Sequence, residues 1–250
     1  MAWLLKRAAA KPPDPISISA LHDVVGDLAA RMTVRLSPKA RRVAVRVDVA
    51  NGVIELVQPR RMSVRAVLEF AAARKDWIAK HLEMLPPRVE FTDGAAIPFR
   101  GRDYVLRLSP QTRAGVFVDG DAIVVSGRPE HARRRLIDWL KAEAKKTIAP
   151  QAHALADCIA RKVSAVSVRD TTSRWGSCTR RGRLSFSWRL ILAPDHVLQY
   201  VIAHEVAHLK YMHHGPAFWQ AVAQLLGSED SERLARDWLR RNGAVLHRYG

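Results

Sequence analysis

Residues 195–212, DHVLQYVIAHEVAHLKYM, constrain this chain more than any other stretch. The segment follows Pro194 and has helical spacing, with Asp195 placed as its cap. Val201, Ile202, Ala203, Val206, Ala207 and Leu209 make it apolar almost all round. A helix of that kind belongs inside a core. Yet it carries His204, Glu205 and His208. Buried imidazoles and a buried carboxylate need partners or a metal. The fold therefore has to enclose this helix and leave a polar site within its packing.

His204 and His208 are four residues apart. On an α-helix that is one turn of rise and about 40° of rotation, so both imidazoles can reach one ion. With Glu205 beside them the pattern is His-Glu-x-x-His: two metal ligands and a carboxylate placed to take a proton from metal-activated water. Zinc suits imidazole ligands, needs no redox chemistry and lowers the pKa of its water to about 7. Catalytic zinc usually has three protein ligands and one open position. His214, six residues after His208, is the favoured third ligand if the chain folds back at Gly215-Pro216. His213, Glu229, Glu232 and Cys178 are its rivals.

Composition limits what surrounds this site. With 250 residues, 48% apolar and 26% charged, the chain can bury a sizeable core and is not disordered along its length. Two cysteines, Cys158 and Cys178, exclude a disulfide scaffold. The start lacks the apolar core of a signal peptide, and no run of 18 apolar residues occurs, so we expect a cytoplasmic protein without a membrane span. The net charge of +17 is spread along the chain. Anionic partners, nucleic acid or nucleotides among them, fit such a surface.

The rest of the chain reads as strands followed by helices. Val43, Val45, Val47 and Val49 alternate with Ala44, Arg46 and Asp48, and Asn51-Gly52 is a hairpin signal, so 33–59 is expected as a small antiparallel sheet. Spacing predicts one helix over 63–85, capped by Ser63 and stopped by Pro86-Pro87. Short strands are expected around 97–99 and over 104–109, 115–120 and 122–127. Helical spacing then runs from 129 to 162, with Pro150 as a kink or break. Two strands are expected at 165–170 and 183–194, the second with Leu184, Phe186, Trp188, Leu190 and Leu192 on one face. Beyond the histidines, Gly215-Pro216 opens a helix ending at Gly227, and a last helix runs from Glu229 to Asn242-Gly243. The resulting expectation is an α+β fold. It has an N-terminal extension (1–32), a strand-rich region (33–128) and a mainly helical domain with a small sheet (129–250).

The segment SRWGSCTRRGRLSFSWRLILAPDHVLQYVIAHEVAHLKYMHHGPAFW (173–219) resembles the YgjP-type metallopeptidase family of bacterial metal-dependent hydrolases, relatives of the SprT/Wss-type and minigluzincin zinc proteases. RRVAVRV, PRRMSVRAVLEF, KDWIAKHL and FRGRDYVLRL stand in the expected order upstream, so the resemblance covers roughly 34–245. Val206 stands where Leu is usual, and His213 where Asn is common. The resemblance implies a zincin-like metallopeptidase domain, zinc held by His204, His208 and His214, and Glu205 as catalytic base. It also implies a strand beside the metal that pairs with an extended peptide or protein substrate, for which 183–191 is the candidate. Tyr211, Arg174 and His213 are candidates for stabilising an oxyanion. Two other activities are open at this stage: a nucleoside triphosphate pyrophosphohydrolase, and a DNA-associated protease of the SprT/Wss type. Three histidines without an acidic cluster sit poorly with magnesium-phosphate chemistry, which prefers oxygen ligands.

Overall fold

The computed structural model describes residues 14–250, apart from Thr112 and the side chain of Glu229. Most of the Ala-rich start therefore lies outside the described residues. The chain divides into two compact units, one ending at Leu85 and one running from Pro86 to Gly250. Together their described residues form seven α-helices and three small sheets, a mixed α/β protein.

The first unit begins with α1 (Ile18–Val25), capped by Ser17, whose Oγ accepts the Ala20 N–H at 3.2 Å. Its sheet holds β1 (Met32–Ser37), β2 (Ala44–Asp48) and β3 (Val53–Pro59) in the order β1-β3-β2. The β2–β3 hairpin turns at Asn51-Gly52 as expected, and Gly52 takes the positive φ of 70° that the turn requires. β1, however, runs parallel to β3 rather than antiparallel. Alternation marks strands but not their direction. The expected single helix over 63–85 is two: α2 (Val64–Ala72) and α3 (Lys75–Glu83). Ser63 caps α2 through the Ala66 N–H at 3.3 Å. No glycine or proline marks the break at Ala73-Arg74. Val67, Ala71, Ile78 and Leu82 are buried with Leu21, Ile54 and Leu56.

The second unit opens with β4 (Ala96–Phe99), β5 (Arg102–Ser109), β6 (Val116–Asp119) and β7 (Ala122–Ser126), ordered β4-β5-β7-β6 with β5 and β7 parallel. Ile97, Leu106, Ile123 and Val125 share one core with Leu136, Leu140, Phe186 and Trp188. The unit that holds the histidine helix therefore starts at Pro86. The switch from strand to helix spacing, which puts a boundary at 128–129, falls inside it. Secondary-structure type changes there, but the apolar core does not.

Helix α4 (Ala132–Cys158) passes through Pro150 unbroken. The proline is exposed, so the Lys146 carbonyl it cannot bond faces water and the helix continues. Its buried positions recur every fourth residue: Ala132, Leu136, Leu140, Ala144, Ile148, Ala152 and Ala156. Such a row winds about 40° per step, which lets one helix meet several elements.

The third sheet contains β8 (Ala165–Arg169), β9 (Gly176–Cys178) and β10 (Arg183–Ser187) in the order β8-β10-β9. β10 stops at Ser187, and Trp188–Leu192 form a 3₁₀ turn in place of the expected strand. Every residue of that turn is buried, Arg189 included. Burial on every side does not by itself distinguish a strand from a coil, so the alternation of apolar residues does not fix this segment as strand. β10 is also paired on both edges, parallel to β8 and antiparallel to β9. It therefore cannot receive a substrate strand, which corrects the expectation for 183–191. The free edge beside the histidine helix belongs to β9.

Helix α5 (Asp195–Ala207) takes Pro194 as its N-cap. Asp195 stands inside the first turn, where its charge suits the helix dipole, and binds Arg100 at 2.9 and 2.8 Å. Arg100 and Gly101 form the β4–β5 turn with φ of 53° and 76°, and a Cβ on Gly101 would lie 2.9 Å from Pro194 Cα. α6 (Pro216–Leu226) ends at Gly227 in the left-handed conformation (φ 71°). α7 (Glu229–Leu246) runs on through Asn242-Gly243, where the sequence reading ends it. Gly243 faces Trp175, whose Cζ2 would be 3.2 Å from an added Cβ. This glycine makes room for a ring; it does not stop a helix.

Candidate metal centre

α5 is buried along most of its length, as its composition requires. It ends at Ala207, but His208 keeps helical backbone angles (φ −64°, ψ −17°), so its side chain remains one turn above that of His204. The chain then turns and brings His214 back just before Gly215, the N-cap of α6. The ligand-capable atoms of His204, His208 and His214 all lie within 4.8 Å of one another. His204 Nε2 and His214 Nε2 are 3.2 Å apart.

The three rings rest on an apolar wall. The Phe218 ring centroid is 4.9, 4.6 and 4.7 Å from the rings of His204, His208 and His214, and Trp219 stacks on His214 at 5.6 Å. Phe218 is fully buried, so the wall is fixed by the core. His208 Nδ1 sits 3.0 Å from the Tyr211 carbonyl oxygen. That carbonyl accepts the Nδ1 proton and leaves the Nε2 lone pair free, the usual outer-shell arrangement of a metal-ligating histidine. Burial, reinforced by the two neighbouring imidazoles, holds His204 down to about 4. Burial and His214 also lower His208, against the pull of the Tyr211 carbonyl. The rings of His204 and His208 are thus held neutral, the form that ligates metal. Three converging imidazoles, two with their Nε2 atoms 3.2 Å apart, fit a divalent ion of borderline softness.

Glu205 is only 6% exposed. Its carboxylate fits against the backbone of Gly176 on β9, so close that a Cβ there would be 2.6 Å from Oε1. Burial pushes its carboxyl up to about 7, and the Arg174 guanidinium restrains the rise. Glu205 and His204 line one pocket of about 310 Å³ together with Gly176, Tyr200 and Arg236.

A family model described as "YgjP-like, metallopeptidase domain" matches residues 41–242. The chain belongs to the YgjP-like metallopeptidase family. Membership assigns a metal-dependent hydrolase and implies a metal cofactor. No curated protein and no solved structure matches the chain. In this family member the described residues show no helix long and apolar enough to cross a membrane.

Of the rivals for a third ligand, none described joins the cluster. Glu232 binds Arg236 at 2.8 Å. Cys178 lies on β9, and burial with the nearby Glu205 charge pushes its thiol up to about 11, away from the ligating thiolate. His213 is exposed. The side chain of Glu229 lies outside the described residues.

Three pocket residues escape the sequence reading. Tyr200 places its hydroxyl 3.5 Å from His204 Nδ1. It stands four residues before His204, so the helical period that pairs the histidines also predicts its position. Arg236 comes from α7, far away in sequence, and no spacing announces it. Gly176 belongs to edge strand β9, which lies between the two strands expected at 165–170 and 183–194.

Proposed function

We propose that this protein is a zinc-dependent peptidase, with His204, His208 and His214 holding the metal in a zincin-like domain and Glu205 acting as general base. The observation that carries the reading is the single pocket shared by His204 and a buried Glu205, opening beside the free edge of β9. Held by His204, His208 and His214, a zinc ion would supply Lewis acidity for an acyl oxygen and for water near neutral pH, and would favour ionised Glu205.

The chain's own residues account for the other parts of the reaction. An extended peptide pairs with β9, whose backbone groups on that side have no strand partner. Gly176, lacking a side chain, lets the peptide backbone approach the Glu205 carboxylate. Glu205 takes the proton from the attacking water and returns it to the leaving amine; its raised pKa suits both transfers near neutral pH. Tyr200 and Arg236 offer hydrogen-bond donors on the same pocket wall for the negative charge that develops on the acyl oxygen.

The test is LC–MS of a peptide library and of UTP, each incubated with zinc-loaded protein and with Glu205→Gln. Peptide cleavage that falls by about 10²–10⁴ in the variant is the expected result. Loss of UTP with intact peptides, again dependent on Glu205, would replace the reading with a phosphohydrolase.

A further inference from the structure

His208 lines a second pocket, of about 350 Å³. Arg161 and Lys162 line it from the α4–β8 connection, Arg180 and Arg181 from the β9–β10 turn, and His208 and Leu209 from the end of α5. The two loops are fixed to each other. Ser164 donates its N–H to the Gly182 carbonyl at 2.9 Å and its hydroxyl to the Arg181 carbonyl at 2.8 Å. Gly182, at φ 73°, packs so tightly that an added Cβ would be 3.1 Å from the Lys162 carbonyl.

Four permanent cations thus surround one pocket whose wall is shared with the histidine cluster. None of the four takes part in an ion pair among the described residues, and no carboxylate lines the pocket. Cations gathered without counter-charge repel one another, and an anionic occupant relieves that repulsion. The volume suits one or two side chains. No Phe, Tyr or Trp lines the pocket, so a nucleic-acid base would lack the large aromatic platform that single-strand binders use. The turn that carries Arg180 and Arg181 directly continues β9, the strand proposed to receive substrate.

We propose that this pocket is a substrate subsite that selects an anionic side chain, carboxylate or phosphorylated, close to the scissile bond. The proposal rests on the peptidase reading for its catalytic meaning. A peptide that enters along β9 passes from Glu205 toward the β9–β10 turn at about 3.3 Å per residue, so the selected side chain lies a few positions from the bond that is cut.

Two measurements on the full chain test it. In the first, zinc-loaded protein and the charge-reversal variant Arg180→Glu/Arg181→Glu are given matched peptides that carry Asp, Glu, phosphoserine, Ala or Lys at each position around the cleaved bond. The expected result is at least a tenfold kcat/KM preference for an anion at one position, weakening with salt, and a switch to Lys in the variant. The Asp, Glu and phosphoserine arms show which anion is preferred. Equal cleavage of all peptides, or the same preference in both proteins, overturns the subsite. The second measurement is fluorescence anisotropy of a labelled acidic peptide on zinc-loaded Glu205→Gln, with and without the charge reversal. Binding that the reversal abolishes supports the subsite even if no peptide is ever cleaved, which would leave only the peptidase reading to fall. A single-stranded oligonucleotide that displaces the peptide tenfold more tightly than an unlabelled acidic peptide assigns the pocket to nucleic acid instead.

Discussion

Gly176 is the floor on which Glu205 rests: any Cβ at position 176 would come within 2.5 Å of the glutamate Cγ and 2.6 Å of its Oε1. The contact joins edge strand β9 to the histidine helix at the group proposed to move protons. Gly176 has no positive φ, so a side chain there is excluded by Glu205 and not by backbone strain. Gly176→Ala should push the carboxylate aside while leaving the three imidazoles in place. A displacement on the order of 1 Å at a catalytic group can lower the rate about 10²-fold. We expect kcat to fall by that order with metal content unchanged, measured by steady-state kinetics beside elemental analysis. Loss of metal in this variant would show that the glycine supports the ligands rather than the base.

The histidines divide into ligands and bystander. His204→Ala, His208→Ala and His214→Ala each remove one of three converging nitrogens, whereas His213→Ala removes an exposed ring outside the cluster. Elemental analysis after dialysis against a weak chelator should find metal lost from the first three and retained by the fourth. His214 is the most informative, since it alone comes from beyond the turn that follows α5. Retention of metal by His214→Ala together with its loss from His213→Ala would exchange their roles.

The positions of these residues were legible in the sequence to the extent that a local period controlled them. Four-residue spacing on an apolar helix places His204 and His208 together, and the Gly215-Pro216 turn returns His214 to them. Gly227 and Asn51-Gly52 punctuate the chain as their conformations require. What stayed hidden depended on distant partners. Gly243 reads as a helix stop, but Trp175 claims the space beside it. Pro150 reads as a break, but its side of α4 faces water. Residues 188–192 read as strand because apolar side chains alternate there, yet burial on every side removes the contrast that alternation reports. Arg189 in that segment looks like a wet-face residue; its partners, Asp170 and the Tyr249 carbonyl, lie elsewhere in the chain.

The winding row of α4 sets a limit on volume. Alanine at 132, 144, 152 and 156 shares the buried row with Leu136, Leu140 and Ile148, and α5, β7, β8 and the 188–192 turn all touch this helix. Small residues there allow that close approach. Ala152→Leu adds three carbons to a position with no exposure. Overpacking of this kind costs about 1–3 kcal/mol, and Leu140→Ala, which opens a cavity, costs about 2–5 kcal/mol. Chemical denaturation should find both variants destabilised. A neutral Ala152→Leu would mean that the row has unfilled space.

Arg189 is 6% exposed and is held by three contacts: the Asp170 carboxylate, the Tyr249 carbonyl at 3.4 Å and the Trp188 ring at 4.5 Å. Burial alone would raise the Asp170 carboxyl, but the Arg189 hydrogen bond and charge outweigh it and leave the group below its ordinary value. A carboxylate whose folded pKa lies below its unfolded value of about 3.9 stabilises the protein fully above that value. The contribution is lost as pH falls through the folded pKa. Thermal unfolding followed by circular dichroism should therefore show a midpoint that declines below about pH 4, in part because of this pair. Asp170→Asn should lower stability near neutrality by about 1–3 kcal/mol, the cost of leaving a buried polar group short of its partner; the half-exposed carboxylate keeps the loss below that of a fully enclosed ion pair. The same substitution should flatten the acid limb of the curve. An acid limb identical in wild type and variant would show that Asp170 is not the group that titrates there.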